Sequence, residues 1–183
     1  MGRQAHGRVA VGTPLRPGRR LMARPRHVPG ISPKRSLRRN ARRVLRVRIG
    51  EVYGYEALVV DPANVTELHD MRIAIKRLRY LLEIFGPAFA EDLAPFLEEV
   101  RGLQDLLGDI HDCDVQVPAL KAHLAGLGDP APGAADLRPG IRTLLAGRRA
   151  LRVELFARFG SEWRRLREER FRERLEAALG IGA

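Results

Sequence analysis

Leu68-His69-Asp70-Met71-Arg72-Ile73-Ala74-Ile75-Lys76-Arg77-Leu78-Arg79-Tyr80-Leu81-Leu82-Glu83 is the stretch whose reading decides the fold. At about 100° per residue on an α-helix, Leu68, Met71, Ile75, Leu78, Leu82 and the following Phe85 fall into one apolar stripe. That is the pattern of a helix packed against a core. His69, Arg72, Lys76 and Arg79 form a second stripe beside it, within roughly 80° of one another. Ile73, Tyr80 and Ile84 lie just beyond, so apolar surface flanks the cations on both sides. Asp70 and Arg77 are expected opposite the core, as solvated charges. Cations bordered twice by apolar side chains line a groove, and a partly desolvated row of Arg and Lys needs anions to neutralise it. A polyanionic ligand follows. The bland reading is a charged helix whose bases pair with Glu83, Asp105, Asp109 or Asp112 on neighbouring elements.

Outward from this helix, no segment has the period of a strand, and abundant Arg, Leu, Ala and Glu with few aromatics favour helices. Ser36 is placed to cap a first helix carrying Leu37, Ala41, Val44, Leu45, Val52 and Leu58 inward, with a weak point at Gly50 or Gly54. Asp61-Pro62-Ala63-Asn64 reads as a turn, and the key helix then runs from about Val65 to Phe85, stopped by Gly86-Pro87. A third helix is expected from about Glu91 to Ile110, broken at His111-Asp112-Cys113-Asp114, with a shorter helix to Leu127. After a Gly/Pro loop from Gly128 to Pro139, two helices are expected, Ile141 to Phe159 and Ser161 to Leu179. The expected fold is all-α, an antiparallel bundle of about five to six helices.

Charge is unevenly spread over the 183 residues, whose formal net charge is +11. Residues 1–50 hold 15 of the 33 Lys and Arg and none of the acids, so the remaining chain carries 18 bases against 22 acids. The folded part therefore uses its cations by placement and not by total. Residues 1–33, rich in Arg, Pro and Gly, are expected to form a disordered basic arm, with residues 34–183 as the folded domain. The arm has no aromatic residues for base stacking, so any nucleic-acid binding through it is weak and nonspecific. Cys113 is the only cysteine, which excludes an intramolecular disulfide and a cysteine-based zinc site. No apolar run is long enough to cross a membrane and no secretory leader is evident, so a cytoplasmic protein is expected.

Two motifs carry a resemblance. Leu68-His69-x-x-Arg72-x-x-x-Lys76-Arg77-Leu78-Arg79-Tyr80, followed by Leu103-Gln104-Asp105-x-Leu107-Gly108-x-x-His111-Asp112-x-Asp114-Val115, resembles the CHAD domain, the conserved-histidine α-helical domain. The resemblance covers about Ser36 to Leu166 and implies a bacterial all-α module that binds inorganic polyphosphate through a basic surface. By match to the motif it assigns anion contacts to His69, Arg72, Lys76, Arg77 and Arg79. Arg46, His111, Lys121, Arg148 and Arg152 extend that set. A full CHAD domain repeats its helical unit twice and this sequence shows one, so half of that architecture is expected, with a homodimer supplying the other half. Residues Glu162 to Leu179 folding back over Ile73, Tyr80 and Ile84 is the alternative. Polyphosphate granules are the implied place of association.

His69, His111, Asp112 and Asp114 also invite a metal or phosphohydrolase reading. Adjacent helical residues do not face one another, and Asp112 and Asp114 instead suit the cap of a following helix with Pro118 in its first turn. With no nucleophile–base pairing and no phosphate-cradling Gly-rich loop, the expectation is non-enzymatic binding with no cofactor and no metal. The alternatives are a nucleic-acid- or ribosome-associated basic protein and, behind it, a metal-dependent phosphohydrolase.

Overall fold

In a computed structural model of the chain, residues 24–128, 130 and 135–181 are described. Most of the basic arm (residues 1–23) and part of the Gly/Pro loop lie outside these residues. Five α-helices follow in order: α1 (Leu37–Tyr53), α2 (Val65–Phe85), α3 (Ala94–Gly126), α4 (Arg138–Glu168) and α5 (Phe171–Ala178), with a 3₁₀ turn at Gly86–Ala88. No strand occurs among the described residues.

α1 opens where the Ser36 side chain accepts the backbone N–H of Arg39, filling one of the donors left over at a helix start. Ala41, Leu45, Ile49 and Val52 are buried along one stripe. Leu37, expected inside, is 61% exposed because it lies at the edge of that stripe, and Leu58 is also exposed. Before α1, the Arg26 backbone N–H donates to Glu51, and the buried Arg48 side chain bridges Glu51 and the Arg26 carbonyl. Residues 24–33, assigned to the arm by composition, are thus tied to α1 at Arg26.

α2 has the limits expected, and Leu68, Met71, Ala74, Ile75, Leu78 and Leu82 are buried. Its far side is not solvated as expected. Asp70 is buried and Arg77 half-buried, because the segment leaving α1 lays Tyr55 and Val59 into the core on that side. Burial, then Asp70, raises the Tyr55 hydroxyl pKa, while Arg77 lowers it.

α3 corrects a larger error. It is one helix of 33 residues that runs straight through His111–Asp114. Leu103, Leu107, Ile110 and Cys113 continue a single buried stripe across the expected break, and burial of that stripe outweighs the local turn preference of Asp112 and Asp114. Pro118 therefore sits inside the helix, where it deletes one backbone hydrogen bond. The same logic corrects the end of the chain. Leu155, Phe159, Trp163 and Leu166 hold α4 together through Gly160, and the break comes at Glu169-Arg170, with Arg170 left-handed at φ 53°.

Neighbouring helices α2/α3 and α3/α4 run antiparallel, as the pairs His69–His111 and Arg79–Gln104, and Asp114–Arg152 and Glu99–Arg165, show. α5 closes the open end of the core. Phe171 packs edge-on to Phe96 at 5.8 Å, and Arg42 and Arg46 on α1 donate to the carbonyls of Leu179 and Ile181. It does not cover the second apolar patch of α2, since Tyr80 and Ile84 remain 43% and 67% exposed. Among the described residues, no helix is long and apolar enough to cross a membrane.

Candidate anion-binding site

The antiparallel register of α2 on α3 sets His69 beside His111, Arg72 beside Gly108 and Arg79 beside Gln104. One row of α2 cations is thereby laid along the second motif, and it divides into two unlike halves.

In the first half, the His69 and His111 Nδ1 atoms lie 3.2 Å apart, with ring centroids 4.5 Å apart and tilted. One Nδ1 donates and the other accepts, so the pair shares a single proton at that contact. The His111 pKa is lowered, first by burial and then by the charges of His69 and Arg72, against the opposing pull of Asp112 and Asp114. Arg72 is half-buried, and its Nε–H is buried without an acceptor. A Cβ on Gly108 would stand 3.7 Å from that Nε, at ordinary van der Waals distance, so the α3 backbone passes close to the guanidinium there and Gly108 offers it no side-chain acceptor. Lys76 is exposed, its Nζ 5.8 Å from the centre of the Tyr80 ring. Among the described residues, neither Arg72 nor Lys76 meets a carboxylate.

In the second half the charges are already matched. Arg79 donates through Nε to Gln104 Oε1 and through Nη1 to Glu83 Oε1, both at 2.8 Å, and stacks on Tyr80 at 4.4 Å. Glu83 Oε1 also accepts from Arg101 Nη2 at 3.0 Å, and Arg101 pairs with Glu98. Of the carboxylates weighed as partners from sequence, only Glu83 takes that part. Asp105 and Asp109 instead line a groove of about 740 Å³ between α3 and α4, together with Glu154, Arg158 and Glu162. Its excess of carboxylates repels anions such as phosphate.

The remaining sequence candidates lie apart from the row. Arg77 faces the Tyr55 side of α2, and Arg46 is engaged with the Ile181 carbonyl. Arg152 is paired with Asp114 and donates to the Pro62 carbonyl at 2.7 Å, which ties α4 to α3 and to the turn before α2. Asp114 thus orients an arginine and does not cap a helix. Arg148 lies near Cys113 and opposes the rise that burial gives the thiol pKa. Lys121 is exposed, about 15 Å along α3 from His111. Among the described residues no group of three or more His, Cys, Asp or Glu is placed to hold a metal ion. The sequence reading gave no role to Gly108 or Arg101, and took Glu83 only as a generic counter-ion. The four-residue spacing from Arg79 to Glu83 was a legible signal; the reach of Arg101 from α3 was not.

The family model of the CHAD domain matches residues 15–121, more than half of the chain. The chain belongs to the CHAD family. No curated protein and no solved structure matches it. The matched segment contains both motifs, so the whole α2–α3 row lies inside the CHAD region, while Arg148 and Arg152 on α4 lie beyond it. The CHAD family is associated with polyphosphate binding.

Proposed function

We propose that this CHAD domain binds inorganic polyphosphate, without chemical turnover, along the row formed by His69, His111, Arg72 and Lys76. The observation that carries the reading is the unsatisfied half of the row. Elsewhere in the bundle, Arg165, Arg167, Arg172 and Arg174 meet glutamates, whereas Arg72 and Lys76 have no carboxylate among the described residues. A buried donor left without an acceptor costs about 1–3 kcal/mol. Arg72 Nε is such a donor, and a phosphate meeting the accessible side of this half-buried guanidinium supplies the counter-charge that no carboxylate of the described residues gives it. Successive phosphates along one chain neutralise several cations at once, so binding is multivalent and weakens with salt. A chain with this activity belongs with cytoplasmic polyphosphate stores.

A second reading, nonspecific nucleic-acid binding, has one observation in its favour. Arg35, Arg38, Arg42 and Arg46 donate to the backbone carbonyls of Gly30, Ala88, Leu179 and Ile181. A carbonyl fixes a guanidinium without cancelling its charge, which leaves this face of the bundle cationic. The test is to titrate the full chain, a chain beginning at Arg24, and Arg72→Ala/Lys76→Ala with long-chain polyphosphate and with duplex DNA. Polyphosphate affinity that survives removal of residues 1–23 but falls in the double variant supports the first reading. Polyphosphate affinity indifferent to Arg72 and Lys76 overturns it.

A further inference from the structure

Glu83 continues the face of α2 that carries Lys76 and Arg79, one turn beyond Arg79. Its Oε1 accepts from Arg79 and Arg101, on two different helices, as a phosphate oxygen would. We propose that Glu83 is a specificity-determining residue, an internal anion that blocks the far half of the row until a long polyphosphate displaces it. This inference rests on the polyphosphate reading above and concerns which chain lengths that site prefers.

The argument is one of reach. Lys76 and Glu83 are seven residues apart on α2, about 10 Å along the helix axis. A short anion that satisfies Arg72, Lys76 and the histidine pair ends before it meets Glu83, whose charge is offset by Arg79 and Arg101, so the cluster's net repulsion on that anion is small. A longer chain runs on into the Arg79–Arg101 end and meets a negative charge already seated there. It gains those two arginines only if Glu83 leaves. The route out is open, since the Glu83 side chain is 29% exposed and its neighbour Ile84 is 67% exposed. After displacement Arg79 is still held by Gln104 and Tyr80, so the guanidinium stays in place to receive phosphate. The carboxylate therefore lowers affinity for long chains selectively, by opposing the contacts that only they make.

The test uses the full chain and compares the wild type with Glu83→Gln and Glu83→Ala, titrated with tripolyphosphate and with long-chain polyphosphate at one ionic strength. Taking the variant-to-wild-type ratio for each ligand cancels the statistical advantage of many sites on a long polymer. Glu83→Gln keeps an amide oxygen for Arg79, so its fold is retained, and a thermal melt verifies this. The expected result is a gain of about tenfold for long chains, with tripolyphosphate changed by less than about twofold. Adding Arg101→Ala to Glu83→Gln is expected to remove most of that gain. Equal gains for both ligands would show that Glu83 acts through bulk charge and would overturn the proposal, as would unchanged or weaker long-chain binding. Absence of binding by the wild type to either ligand would overturn the polyphosphate reading itself, a separate outcome.

Discussion

Replacing Arg72 by alanine separates binding from folding more sharply than any other single change. In the free protein the substitution removes a buried Nε–H that has no acceptor and a positive charge that acts on His111. Relief of an unsatisfied donor, about 1–3 kcal/mol, offsets the packing lost with the side-chain stem. Stability is therefore expected to stay within about 1 kcal/mol, a shift of only a few degrees in Tm. In the complex the same change deletes a charge-assisted contact of about 1.5–3 kcal/mol, a loss of about ten- to hundredfold in affinity. Lys76 is exposed, so its contact is screened and contributes about 0.2–1 kcal/mol. The double variant should lose about 2–4 kcal/mol, toward the lower end because a flexible polymer re-seats on the remaining cations. Arg77 lies about 140° around α2 from Arg72, and Arg77→Ala should change affinity by less than about threefold. The assay is calorimetric titration with long-chain polyphosphate at about 0.15 M salt, beside a thermal melt of each variant. Equal losses for Arg72→Ala and Arg77→Ala in folded proteins would refute the argument, because only total charge would then matter.

Polyphosphate binding should take up protons. Burial and neighbouring cations hold the His111 pKa below its ordinary value, so in the free protein this imidazole is neutral at pH 7, and a bound phosphate reverses the sign of its surroundings. The Nδ1–Nδ1 contact survives one added proton and not two, so calorimetry at about pH 6 in buffers of different ionisation enthalpy should show uptake of at most about one proton; none between about pH 5.5 and 7.5 would remove the histidines from the site. The same depressed pKa means that free-protein stability is full above about pH 6.5 and declines as pH falls through the folded-state value, which denaturant melts without ligand will register. Asp114→Ala should destabilise the bundle by about 2–3 kcal/mol in urea unfolding, since it strands the mostly buried Arg152; a loss below about 0.5 kcal/mol would deny this pair its role in holding α4. Tyr80 and Ile84, exposed beside the cationic row, should join two copies of the chain across a bound polyphosphate, with light scattering showing a doubled mass that Ile84→Asp abolishes; an unchanged wild-type mass in the presence of ligand would reject the dimer.

The sequence by itself determined the all-helical class, the limits of α2 and the row. Period-3.6 burial at Leu68, Met71, Ile75, Leu78 and Leu82, with Gly86-Pro87 behind it, fixed both ends of α2 and the side on which His69, Arg72, Lys76 and Arg79 stand. Such information is local, carried by residues within a few turns of one another. Local signals failed where long-range burial opposed them. Asp112, Asp114 and Pro118 spelled a break, yet the stripe from Leu103 to Cys113 packs along its whole length and keeps α3 continuous. Beyond the i,i+4 spacing of Arg79 and Glu83, tertiary structure decided which cations stay unmatched. Arg72 and Arg79 are equivalent on the helical wheel, but α3 sets Gly108 and His111 near Arg72 with no acceptor for its Nε and offers Arg79 the side chain of Gln104, while Glu83 and Arg101 complete the second cluster. The difference lies in the register of one helix on another. That register is set by the fit of two apolar faces together, and neither face encodes it alone.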